Sequence, residues 1–90
     1  MPSYLVETHL ARDDLRGRAS REQRAREAAE ELSRLGTDIY LEGTIHVPED
    51  EICFFVFDAP SGRDAARAAV QARLDPLRVV EAISSGKEKV

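Results

Sequence analysis

An α+β sandwich with one four-stranded antiparallel sheet is the fold class this chain predicts, and three observations predict it. The elements follow the order β-α-β-β-α-β. Both helices open on capping residues and keep their small apolar residues on one face. The segment Ile52-Cys53-Phe54-Phe55-Val56-Phe57-Asp58 is apolar on both of its faces, so it needs cover on both sides of a sheet. Ninety residues leave room for a single core, so the chain reads as one domain over residues 1–84 with a frayed tail at 85–90.

Residues 4–10 alternate and carry Leu, Val and Thr, which predicts a first strand. Residues 11–19 are a polar connection rich in Arg and Asp. Ser20 with Gln23 has capping-box spacing, so a helix is expected from there to Gly36. Its expected buried face is Ala25, Ala28, Ala29, Leu32 and Leu35. Residues 39–47 alternate as a second strand, and Pro48-Glu49-Asp50-Glu51 turns the chain into the third. Ser61 with Asp64 opens a second helix built on Ala65, Ala66, Ala69 and Val70 and ended by Asp75-Pro76. Residues 77–84 complete the sheet as a fourth strand.

This order is the split pattern of a ferredoxin-like sandwich, with both helices on one face of the sheet. Strands one and three are then central and strand two is an edge. Alternation assigns Val6, Ile39, Leu41, Ile45, Ile52, Phe54, Val56, Val80 and Ala82 to the helix side. Leu5, Glu7, His9, Tyr40, Glu42, Thr44, His46, Cys53, Phe55, Phe57 and Glu81 fall on the other side. Phe55, Phe57 and Leu5 would form an apolar patch there, and a second copy of the chain would cover it. A homodimer of the α/β-barrel kind, with two sheets face to face, is therefore expected.

Composition narrows the function classes. A formal charge of −4 argues against a nucleic-acid partner, because phosphate contacts need a surplus of Lys and Arg. The related RNA-recognition modules need a basic, glycine-containing aromatic motif on strand three, and Glu51-Ile52-Cys53-Phe54-Phe55 has neither base nor glycine. The longest apolar run is a strand's length, so no membrane partner is expected. Neither a secretory signal nor a disulfide partner for the single cysteine is evident, which makes a cytoplasmic location the expectation.

Four segments carry a family resemblance: Tyr4-Leu5-Val6-Glu7, Val47-Pro48-Glu49-Asp50-Glu51, Phe55-Val56-Phe57-Asp58-Ala59-Pro60-Ser61 and Arg78-Val79-Val80-Glu81-Ala82. In order and spacing the chain resembles a family of small bacterial proteins of unknown function whose characterised branch is a nickel-binding protein. The resemblance implies a ferredoxin-like, dimeric protein. It also implies nickel or another divalent metal as a cofactor.

The residues offer candidate donors for such an ion. A simple hairpin places His46 opposite Cys53, and an imidazole and a thiolate so placed suit nickel or zinc, or a nucleophile and its base. The plainer alternative is a cysteine packed as a small hydrophobe beside a surface histidine. Glu7 and His9 share a strand face, and Glu42 lies toward the same end of the sheet in this reading. Together they supply N/O ligands, an acid/base unit, or only an ion pair in water. Tyr40, Thr44 and Phe55 are candidate pocket walls for a small-molecule ligand. The arginines at 12, 16, 18, 21, 24 and 26 form a basic stretch that reads either as an anion-binding lid or as a solvated helix face. Three functions follow as expectations: a dimeric divalent-metal binder, a dimeric-barrel enzyme or small-molecule binder, and a structural or regulatory interaction domain.

Overall fold

The computed structural model describes residues 1–83; Ser84 and the expected tail at 85–90 lie outside the described residues. The elements are β1 (Ser3–His9), α1 (Leu15–Arg34), β2 (Tyr40–Val47), a 3-10 turn (Pro48–Asp50), β3 (Ile52–Asp58), α2 (Gly62–Gln71) and β4 (Arg78–Ala82). The four strands form one sheet in the order β2-β3-β1-β4, and every neighbouring pair is antiparallel. The fold is thus the ferredoxin-like α+β sandwich that the order of elements implied. α1 packs over β2 and β3, and α2 over β1 and β4. No helix among the described residues is long and apolar enough to cross a membrane.

Helix α1 begins earlier than the Ser20 capping box suggests. Asp14 is the N-cap, its Oδ1 accepting the Gly17 N–H at 2.8 Å. Glycine suits that position, since a Cβ there would lie 2.2 Å from Asp14 Oδ2 and collide with the cap. Ser20 sits within the helix, where its Oγ accepts from Arg24 Nη1. The helix closes on a Schellman arrangement, with Gly36 N–H donating to Ser33 O, Thr37 N–H to Leu32 O, and Gly36 at φ 109°. Ala25, Ala28, Ala29 and Leu32 are buried as expected. Leu35, the C-cap, is instead 72% exposed.

Helix α2 starts where Ser61 Oγ accepts the Asp64 N–H. Ala65, Ala68 and Ala69 face the core, whereas Val70 turns outward into water. The helices are tied together by Arg24, whose guanidinium donates to the carbonyls of Ala72 and Arg73 just past the end of α2. That contact satisfies carbonyls that a helix end leaves unpaired.

The faces of the sheet correct the alternation reading. On β1 the parity is as expected: Val6 faces the helices, and Leu5, Glu7 and His9 face away. On β3 it is reversed. Cys53, Phe55 and Phe57 are fully buried under the helices, and Ile52, Phe54 and Val56 are half-buried on the uncovered side. On β2 a bulge at Leu41/Gly43 inserts Glu42 and switches parity along the strand. Leu41 lies in the core with Ile39, but Thr44 and His46 turn toward the helices and Ile45 turns outward, 51% exposed. On β4, Val79 pairs with Val6 on the helix side and packs against the core. Val80 and Ala82 pair with Leu5 and Ser3 on the uncovered side, which places Glu81, opposite Tyr4, on the helix parity.

Volume explains the β3 reversal. Apart from Leu32, the buried face of each helix is alanine, so the layer between helices and sheet must be filled from the sheet. Phe55 and Phe57 fill it, and burying each contributes about 1.5–3 kcal/mol. Thr8, also fully buried, is accommodated because its Oγ1 donates to Cys53 O at 2.8 Å.

Candidate functional site

The residues named from sequence as metal donors lie on opposite faces of the sheet. His46 and Cys53 are register partners, as the hairpin required, but they sit beneath α1 rather than on the uncovered face. Cys53 is fully buried, and burial raises its thiol above the ordinary value, partly opposed by Arg21 and Arg18. His46 Nε2 and Thr44 Oγ1 are buried atoms without a hydrogen-bond partner among the described residues. An unpaired buried polar atom costs about 1–3 kcal/mol.

Glu7 and His9 do share the uncovered face, but each is engaged with a different residue. Arg78 Nε donates to Glu7 Oε1 at 2.7 Å, and His9 Nε2 lies 3.7 Å from Glu51 Oε1. Glu51 is the turn residue at φ 53°, a left-handed conformation that is unusual without glycine. Its Oε2 accepts the Arg12 N–H, and its carbonyl accepts the Leu10 N–H. These contacts offset the backbone cost and fix the carboxylate beside His9.

Glu42 is not at that end of the sheet. The register aligns Tyr40 with Asp58 and Ser3, and Val47 with Ile52 and His9, so the bulge residue belongs to the Ser3 end. Among the described residues, no three His, Cys, Asp or Glu side chains come together in an arrangement that could hold a metal ion.

The pocket candidates divide in the same way. Phe55 is a fully buried core residue rather than a pocket wall on the uncovered face. Tyr40 projects at the Ser3 end of the uncovered face, 53% exposed. Its phenol is raised above the usual value first by a hydrogen bond to Asp58, then by the negative charges of Asp58, Glu42 and Asp38. Ser3 Oγ also donates to Asp58, at 2.5 Å to Oδ1. Asp58 is only 7% exposed, and the Ser3 hydroxyl from β1 holds its carboxylate at the end of β3.

Beside this cluster the twisted sheet forms a trough of about 330 Å³. Thr44 is among its lining residues, and so are Ser3, Leu5, Glu42, Ile45 and Val56. The sequence reading missed Ser3, Asp58 and Val56. One signal was available: Ile52, Phe54, Val56 and Asp58 share a parity that ends in a carboxylate, whereas Cys53, Phe55 and Phe57 form a wholly apolar row. The wholly apolar row is the one to bury.

The arginine stretch resolves into local contacts. Arg21 donates to His9 O, Arg24 caps α2, Arg26 pairs with Glu22, and Arg34 pairs with Glu31. Arg21, Arg24 and Arg26 thus reach three different partners. No family model, curated protein or solved structure matches the chain.

Proposed function

We propose that the protein is a homodimeric small-molecule-binding protein of the α/β-barrel kind, in which the uncovered faces of two sheets meet and enclose the binding space. The observation that carries this reading is the apolar row left outside the core: Leu5, Phe54, Val56, Ile45 and Val80, on three central and edge strands and the bulged β2. An apolar surface of this kind on a sheet is costly in water and is removed by a partner of like shape. Strand spacing and rise give the face roughly 20 Å on each side, and two such faces with side-chain relief bury roughly 1,000 Å². That is about the lower bound for a specific interface.

The test is sedimentation of the protein at micromolar concentration, with Phe54→Glu as the variant. The wild type is expected as a dimer, and Phe54→Glu as a folded monomer with unchanged far-ultraviolet circular dichroism. A wild-type monomer of 10.0 kDa at high concentration would remove the reading.

A second reading, binding of nickel or another divalent metal, follows from the resemblance and needs donors from two chains. His9 and Glu51 supply a nitrogen and a carboxylate, both exposed, so two copies brought together would offer two of each. Calorimetric titration of metal-free protein with nickel and zinc tests it; one ion per dimer supports it, and the absence of heat rejects it.

A further inference from the structure

We propose that the trough on the uncovered sheet face selects a small amphiphile with a protonated amine head and an apolar body. This rests on the small-molecule-binding reading above and names the ligand class of the same space. The floor is apolar: Leu5, Ile45, Val56 and Ala82 come from all four strands and present only aliphatic groups. The polar end is made by Ser3 and Glu42, with Asp58 and Tyr40 beside them.

The charge at that end is one-sided. Ser3 Oγ commits its proton to Asp58, which leaves lone pairs on the oxygen and no free donor. The Tyr40 phenol stands beside the same carboxylate, and the negative charges of Asp58, Glu42 and Asp38 raise its pKa. Glu42 and Asp58 are acceptors only when ionised. The carboxylates of Glu42 and Asp58 make the local charge negative, and among the described residues no Lys or Arg lines the trough. A carboxylate or phosphate head would meet like charge with no cationic side chain among the described lining residues to offset it. A primary ammonium brings three donors and the complementary charge to the same place.

The trough volume, about 330 Å³, lies at the small end of ligand pockets and fits a body of a few carbons or one ring. It is open on one side in the single chain, so a sheet from a second copy would complete its cover.

The probes are hexylammonium, hexanol and hexanoate at equal concentration, followed by amide chemical shifts and by sedimentation of the same samples. Hexylammonium is expected to shift the amides of Leu5, Ile45 and Val56 and to bind about ten times more tightly than hexanoate, with hexanol between them. Glu42→Gln, on an exposed bulge residue, is expected to lower hexylammonium affinity several-fold and to narrow the gap to hexanol. Equal or tighter binding of hexanoate, or no binding of hexylammonium, overturns the ligand class. If those results come from a protein that sediments as a dimer, the assembly stands and this inference alone fails. If hexylammonium binds at these residues in a protein that sediments as a monomer, the ligand class stands and the dimer fails.

Discussion

The two faces of this sheet carry similar amounts of apolar side chain and are used in opposite ways. The helix side has Val6, Cys53, Phe55, Phe57 and Leu41, each at or below 6% exposure, fitted against alanines of α1 and α2. The other side has Leu5, Phe54, Val56, Ile45 and Val80, half-buried or exposed and bordered by polar and charged groups at both ends: Ser3, Asp58 and Glu42 at one, Glu7, Arg78, His9 and Glu51 at the other. A core face is dry and closed by small partners. A face with apolar centre and polar ends is the one that the proposed dimer and ligand would use. The difference lies in what covers each face more than in hydrophobicity.

The largest effect expected from this contrast is in the paired truncations Phe55→Ala and Phe54→Ala, neighbours on β3 with opposite parity. Urea unfolding should show Phe55→Ala losing about 3–5 kcal/mol, the range for a fully buried phenylalanine. Phe54→Ala should cost about 1 kcal/mol in the isolated chain. Any further loss in Phe54→Ala should depend on protein concentration, because it would come from assembly. Equal losses at all concentrations would erase the distinction between the faces.

Cys53 tests the closed face chemically. Its thiol is fully buried and its pKa is raised, so native protein should react slowly with thiol reagents, and a chelator should leave the rate unchanged if no ion is held there. The raised pKa also has a sign for stability. The folded state holds the proton more tightly than the unfolded one, so this contribution is complete below the unfolded value of about 9.0 and is lost as pH rises through the folded value. Unfolding free energy should therefore fall with rising alkaline pH, and less steeply in Cys53→Ala. Rapid labelling at neutral pH would show that the helix layer opens readily.

The smallest expected effect is at the open face. Ultraviolet titration should place Tyr40 above the ordinary phenol value of 10.0, and Asp58→Asn should move it back toward that value. Tyr4, on the opposite parity, supplies the reference signal in the same spectrum. An unmoved Tyr40 titration in Asp58→Asn would show that the Asp58 carboxylate does not reach the phenol at this end of the face.

Much of this architecture could be read from local signals. Ser61 with Asp64 marks the start of α2, Gly36 closes α1, and the corner at Pro48–Asp50 sets the β2–β3 register that pairs His46 with Cys53. The start of α1 was less legible, because Asp14 and Ser20 both have capping side chains and only the packed helix shows which one is used. The candidate site was legible in part. Glu7 and His9 share a face as alternation requires, but Arg78 and Glu51, distant in sequence, draw them into separate pairs.

The sequence by itself determined the order of elements, the central position of β3 and the alanine faces of both helices, because periodicity and capping act within a few residues. The tertiary structure decided which face of β3 is core. A strand apolar on both sides has no parity signal strong enough to choose, and the choice falls to the volume that the helices leave empty. Alanine helices leave room for Phe55 and Phe57, and the bulge at Glu42 then turns His46 inward and Ile45 outward to match. The same choice places Val56 beside Ser3 and Glu42 on the face that remains open.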